Sequence, residues 1–234
     1  MNPYIIYNGI SSEDLDLIIE QLPDEPRPRR NTEEIQVIGR PGRIITDLGS
    51  YDMYQTNAKI NCNGKAATEV YAWLRGEGWM TTSEDPAYMR WVCFHDQIND
   101  SRFRAGACYD TLTVPMRVQP YKYLVEQTPL ICTSPAVFDG NGNEPAAPLL
   151  EISGIGAIDL MVNGASVMIA DLSGIMYLDC DAKMAYTEKD GQKVFAGRQI
   201  TMVDDWPLLD TGYNSVSWSG DVGYVKITPW WRWL

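Results

Sequence analysis

The chain has 234 residues, 45% hydrophobic and 21% charged, proportions that exclude a disordered, collagen-like or low-complexity protein. Nineteen Lys and Arg stand against 31 Asp and Glu, and a formal net charge of −12 argues against a general nucleic-acid binder or a coat for anionic membranes. That length holds one large domain or two ordinary ones.

In chain order, short β-like runs dominate the first half: Tyr4 to Tyr7, Glu34 to Ile38, Arg43 to Thr46, Gln55 to Cys62, Ala87 to Phe94 and Leu112 to Val118. Ser11 to Asp14 reads as a capping box, and Leu15, Ile18, Ile19 and Leu22 form one helical face after it. The same residues also suit a strand, so Ser11 to Leu22 stays open between helix and strand, with Pro23 as its end. Pro23 to Arg30 cannot be regular helix or central strand and is expected to run extended over a surface. The clearest helix is Lys65 to Leu74, with Ala66, Val70, Trp73 and Leu74 on one face and Gly76 and Gly78 ending it. Around Thr128 to Pro148 the composition shifts to Pro, Gly, Asn and Ala, which places a domain boundary there. Beyond it, Ala157 to Val162 and Ala165 to Ala170 flank Asn163-Gly164, the strongest hairpin signal in the chain. Turns and strands continue through Asp190-Gly191 and Asn214 to Lys226 at spacings that suit a β-sandwich.

Asp, Gly or Asn breaks every apolar run before the ~18 residues of a membrane helix, so no membrane partner is expected. The opening has no basic stretch before Arg27 and no signal-peptide pattern, so secretion is not expected. Cysteines at 62, 93, 108, 132 and 180 form an odd set without a CxxC, and reduced, buried thiols are expected rather than a disulfide framework or a zinc ribbon.

Chemical motifs are sparse. The one histidine, His95, has no Gly-x-Ser-x-Gly elbow to serve, and reads as a turn residue. Asp179 with Asp181, and Asp204 with Asp205, are carboxylate pairs, but sequence adjacency does not set the spatial separation that glycoside hydrolysis needs. Asp139 to Glu144 begins like a calcium loop and then fails, with Glu144 at the sixth position and Leu150 at the twelfth. Gly154-x-Gly156 and Gly64-Lys65 lack the further glycines of nucleotide-binding loops. No catalytic, cofactor or metal residue is assigned, and no enzyme is expected. Arg27, Arg29 and Arg30, with Arg40 and Arg43 beyond, are the basic cluster, and it reads either as an inter-subunit arm on an acidic neighbour or as a solvated loop. Trp230, Trp231 and Trp233 at the carboxyl end read better as an anchor in a groove than as a sugar-stacking platform. By the period of two, Trp231 and Trp233 share one strand face, and Trp230 and Arg232 the other.

The residues also carry a resemblance. Tyr7 to Leu15 (Tyr-Asn-Gly-Ile-Ser-Ser-Glu-Asp-Leu), Leu22-Pro23 with Pro26 to Arg30, Ile38 to Gly42, Gly49 to Asp52, Trp73-Leu74, Ser83 to Pro86 and Val114 to Tyr123 resemble, in that order, the first domain of the distal tail protein (Dit) family of long-tailed phages. Ala147 to Gly154, Val162 to Gly164, Leu208 to Asn214, Trp218 to Gly220 and Ile227 to Leu234 are similar to its second half. The joint order and spacing carry the resemblance, which covers nearly the whole chain. Met116 replaces the usual aromatic of the Val-Pro-x-Arg run, and Trp230 stands where a basic residue is expected.

The resemblance implies a mainly β protein with one main helix. Residues 1–128 would form an α+β, ring-forming domain like the tail tube. Residues 129–234 would form a galectin-like β-sandwich, without room for the inserted carbohydrate-binding domains of larger relatives. Independently of the resemblance, exposing Trp230, Trp231 and Trp233 would invite aggregation, so the last residues are expected to pack back along the first domain or between the two domains. The resemblance further implies a structural role as a homo-hexameric hub at the tail tip of the virion, made in the host bacterial cytoplasm. The hub would join the tail-tube protein to the tail-associated baseplate protein, with a channel for tape-measure protein and DNA and no specific nucleic-acid binding. The alternative is a carbohydrate- or receptor-binding module directed at the host surface.

Overall fold

In the computed structural model, which describes residues 2–63, 67–103, 109–202 and 205–234, the alternation expected at Gln55 to Cys62 becomes a strand, Tyr54–Asn61, with Thr56, Ala58 and Ile60 turned inward. Two units divide the chain, Met1–Val125 with Leu234, and Glu126–Trp233. Strands predominate in both, and Ala67–Trp73 is the α-helix among the described residues.

The first unit contains β1 (Ile5–Tyr7), β2 (Ile10–Ser11), β3 (Ile18–Gln21), β4 (Arg30–Ile35), β5 (Ile44–Tyr51), β6 (Tyr54–Asn61), α1 (Ala67–Trp73), β7 (Gly76–Thr82), β8 (Tyr88–Phe94), β9 (Asn99–Phe103) and β10 (Tyr109–Leu124). One antiparallel sheet runs β2-β1-β7-β8-β10-β6-β3, with β9 also on β10, while β4 and β5 form a separate two-stranded sheet. Inward residues of the large sheet, Tyr7, Ile60, Val92 and Val114 among them, form one core, onto which α1 lays Val70 and Trp73, followed by Leu74. The helix start expected at Lys65 and Ala66 lies outside the described residues. Gly76 ends no helix into a loop; it opens β7, a strand the periodicity did not mark.

Ser11 to Leu22 is neither a helix nor one strand. The Asp14 carboxylate accepts from the Ser11 N–H at 3.2 Å and the Ser11 hydroxyl accepts from the Glu13 N–H at 3.2 Å. These contacts close a turn between β2 and β3, so the capping-box residues satisfy a turn instead of a helix start. Pro115 and Pro120 fall where β10 changes partners: pairing with β9 ends at Thr113, and a register shift interrupts pairing with β8 between Val118 and Lys122. Proline has no N–H for a ladder, and both sit where that side of the strand needs none.

The second unit contains β11 (Leu130–Cys132), β12 (Ala136–Asp139), β13 (Leu149–Val162), β14 (Ala165–Asp179), β15 (Met184–Lys189), β16 (Gln192–Phe195), β17 (Ile200–Met202) and β18 (Tyr213–Thr228). Its sheet runs β11-β18-β13-β14-β15-β16, with β12 on β18 and β17 on β14. Register shifts interrupt β13 near Gly154 and Gly156. The strands bend there, and Leu150 and Ile152 from one end share a core with Leu160 and Val162 from the other. The result is a sheet curled over one apolar cluster.

Asn163-Gly164 forms the expected tight turn between β13 and β14, with positive φ at both residues. Asn163 also donates to Asn214 Oδ1 at 2.7 Å and accepts from the Ser215 N–H at 2.8 Å. Asn214 is fully buried; its Oδ1 accepts from the Asp210 N–H at 2.8 Å, and its Nδ2 donates to the Asp210 and Gly212 carbonyls at 3.1 and 2.8 Å. Removing this amide strands several buried partners, each costing roughly 1–3 kcal/mol. Asn214→Ala is therefore expected to destabilise the protein by at least about 2 kcal/mol, a shift of several degrees; an unchanged melting curve in calorimetry would refute the pin.

Candidate functional site

The arm begins at Leu22 and stays without regular structure until β4. Pro23 and Pro28 are buried, and Glu25 meets Arg90 with both oxygens, at 2.5 and 2.6 Å. The Arg90 side chain is only 10% exposed, so this bidentate pair clamps the arm at Glu25 in a partly desolvated setting, where a charge pair is stronger than in water.

Beyond the clamp, the β4–β5 hairpin carries little core of its own. Ile45 and Leu48 are exposed along it, and Val37 and Ile38 are exposed in the loop after β4, which ends at Ile35 rather than continuing to Ile38. Ion pairs stitch its strands: Arg30 to Asp47 and Arg43 to Glu34, both at 2.5 Å. The Gly49 N–H and then the Arg30 guanidinium hold the Asp47 carboxyl below its usual range. Arg30 also donates to the Tyr51 hydroxyl at 2.8 Å and lies 5.2 Å over that ring. Arg27, Arg29 and Arg30 are thus not equivalent: Arg30 is spent inside the hairpin, whereas Arg27 and Arg29 are exposed and without an ionic partner among the described residues.

At the carboxyl end, β18 stops at Thr228 and Trp230 takes a φ of 49°, while burial goes on alternating through Val225, Ile227, Pro229 and Trp231. Trp231, 7% exposed, enters the second unit's core, and Trp233 packs against that same core, while Trp230 is half-buried. Arg232 bridges to Glu144 along the backbone; its carbonyl accepts from the Asn143 N–H at 3.0 Å and its guanidinium donates to Asp181 at 2.5 Å. A Cβ on Gly142 would stand 2.6 Å from the Arg232 carbonyl, so only glycine admits the strap. Asp139 to Glu144 is therefore the seat of the carboxyl-terminal segment.

The remaining motifs also have structural occupations. Asp179 accepts from the Ala182 N–H at 2.9 Å within a turn. Asp205 holds Lys183 at 3.0 Å and caps the Trp206 N–H at 2.8 Å, while Asp204 lies outside the described residues. Cys62, Cys93, Cys132 and Cys180 are buried and not joined in disulfides, and Cys108 lies outside the described residues. Burial, followed by the charges of Asp179 and Asp181, pushes the Cys180 thiol up to about 12.

One convergence was hidden from the sequence. Cross-strand register places Glu77 opposite Cys93, and His95 lies two residues on, so ligand atoms of all three fall within 4.8 Å of one another. The Cys93 thiol donates to Glu77 Oε2 at 3.7 Å. Burial, then Glu77, pushes that thiol up, with Arg117 acting in the opposite direction. The only signal for this group is Cys-x-His at 93 and 95, and its third member depends on the pairing of β7 with β8.

No protein-family model matches the sequence, and no curated relative does. Among solved structures, the chain superposes on SPP1 Dit, a hub protein of the adsorption apparatus in phages infecting Gram-positive bacteria, with a TM-score of 0.76 at 13% identity over 100% of both chains. The chain has the fold of this distal tail protein. A phage P2 baseplate structure in its calcium-activated conformation also aligns, at a TM-score of 0.49 and 8% identity over 97% of both chains. The fold shared with SPP1 Dit agrees with the resemblance read from the sequence.

Because Trp231 fills a core position and Trp230 does not, their truncations should differ. Trp231→Ala is expected to cost about 3–5 kcal/mol, and Trp230→Ala clearly less, in denaturant unfolding of the full chain. Equal, small effects would show that the strap is a loose end.

Proposed function

We propose that the chain is a structural, non-enzymatic distal tail protein of a long-tailed phage or prophage. It would form a homo-hexameric hub at the tail tip, made in the bacterial cytoplasm, that joins the tail-tube protein to the tail-associated baseplate protein around a channel for tape-measure protein and DNA. The observation that carries this reading is the end-to-end correspondence with SPP1 Dit. In this reading residues 1–128 build the ring with a tail-tube-like fold, and residues 129–234 form the galectin-like outer domain. The clamped arm and the exposed apolar hairpin support the first role, since a surface of this kind suits contact with a neighbouring copy. The net charge of −12 supports the second expectation, that the channel wall does not trap phosphate.

Arg27 and Arg29 are the arm's contacts with an acidic neighbour, while Arg30 holds the hairpin together. Arg27→Glu with Arg29→Glu should weaken ring formation with no change in the melting temperature of the free chain, read by mass in solution and negative-stain microscopy. Six-membered rings that persist unchanged across protein concentrations would reject the arm, and a chain that never forms rings would reject the hub. Duplex DNA should bind weakly at physiological salt; tight, salt-sensitive binding would count against a DNA-conducting channel.

The alternative, a host-surface carbohydrate- or receptor-binding module, is favoured by one feature of the second unit. An open groove of about 760 Å³ is lined by Asp171, Ser173, Tyr177, Thr187, Glu188 and Gln199, hydrogen-bonding groups beside an aromatic ring. Glycan-array binding by the full chain that Tyr177→Ala abolishes would establish this second role.

A further inference from the structure

We propose that Glu77, Cys93 and His95 form a zinc-binding site on the β7–β8 strand pair. The placement follows from strand geometry: side chains two apart share a face, so Cys93 and His95 lie on one side of β8 and its continuation, and antiparallel register sets Glu77 directly beside Cys93. Val92 and Phe94, the residues on either side of Cys93, face the core.

Three different donor types meet there: a thiol sulfur, an imidazole nitrogen and a carboxylate oxygen. Zn²⁺ takes all three, whereas Ca²⁺ and Mg²⁺ select oxygen alone. In a tetrahedral zinc site with Zn–S near 2.3 Å and Zn–O near 2.1 Å, sulfur and oxygen stand about 3.6 Å apart; Glu77 Oε2 and Cys93 Sγ stand 3.7 Å apart. The overall spread of 4.8 Å is about 1 Å wider than such a site. His95 is exposed, and rotation of its side chain to another rotamer closes that difference.

The surroundings also suit a held metal. Trp91 Nε1 donates to Glu77 Oε2 at 3.4 Å, an outer hydrogen bond that orients the carboxylate. Trp79 packs edge-on to Trp91 and to Tyr123, at 5.1 and 5.4 Å, and gives the face an aromatic wall. Arg117, the cross-strand neighbour of Cys93 on β10, has its charge engaged by Asp96 at 3.1 and 3.2 Å. Coordination replaces the thiol–carboxylate hydrogen bond with a bond from sulfur to zinc, and the thiol proton passes to water. Three protein ligands leave the fourth position to a water molecule or an outside donor. The site departs from the expectation that the chain holds no metal, and it stands independently of the hub assignment.

The test is titration of Zn²⁺ into the full chain against a chromophoric chelator, with Co²⁺ as the spectroscopic probe. The wild-type chain should bind one equivalent of zinc, and its cobalt form should show a thiolate-to-cobalt charge-transfer band. Cys93→Ser should abolish that band, and His95→Ala and Glu77→Gln should each weaken zinc binding at least about tenfold, the low end of what loss of even an outer partner costs. His95 is exposed, so its variant should keep the metal-free melting temperature and remain a fair comparison. Cys108→Ser should bind as the wild type does. Absence of saturable binding, a cobalt band that survives Cys93→Ser, or a band lost in Cys108→Ser would overturn the proposal.

Discussion

Strand length against domain size is the constraint on which the rest of the structure depends. β10 and β18 each run 16 residues, about 53 Å if straight at ~3.3 Å per residue. A unit of about a hundred residues has a radius of gyration near 13 Å, so straight strands of that length would leave the fold at both ends. They must bend. Where β18 crosses β13, Gly220 has a φ of 102° and a Cβ there would lie 2.4 Å from the Ala157 carbonyl. At that crossing no side chain fits, and the sheet turns over its own apolar face. The carboxyl-terminal strap follows from the same geometry, because β18 continues past the bend and leads to Trp231, which lies in that core.

Features with local causes were readable in the sequence. Asn163-Gly164 specifies its hairpin because both residues tolerate positive φ, and Pro23 to Arg29 runs without regular structure because its prolines admit no ladder. Val70, Trp73 and Leu74 reach the core at helical spacing. Features that depend on distant partners were hidden. Ser11 to Leu22 offered two periodicities, and pairing of Ile18 and Ile19 with β6 decided the outcome for β3. Glu77 could join Cys93 and His95 only through the register of two strands.

Charge followed the same division. A cluster of arginines is visible as composition, yet the partners that give each cation its task are remote in sequence: Glu25 for Arg90, Asp47 for Arg30 and Asp181 for Arg232. These pairs are not of equal value. Arg90 with Glu25 is bidentate and largely shielded, whereas Arg43 with Glu34 is exposed at both ends, a class worth about 0–1 kcal/mol. The arm is thus firmly held at its root and only lightly stitched along the hairpin.

That gradient bears on what the hairpin is for. A two-stranded ribbon is marginal in water when nothing packs on it, and β4–β5 is a separate sheet with Ile45 and Leu48 exposed. Exposed aliphatic strands also invite wrong pairing, a hazard that charged residues on the edges restrain; Glu33, Glu34 and Asp47 occupy such positions here. A ribbon with restraint built into its edges, apolar residues left uncovered and a fixed root has the properties of a limb whose final packing lies outside its own chain. Within the proposed ring, the neighbouring copy would supply the surface that the hairpin's own unit does not, and the Glu25–Arg90 clamp would fix the point from which it reaches.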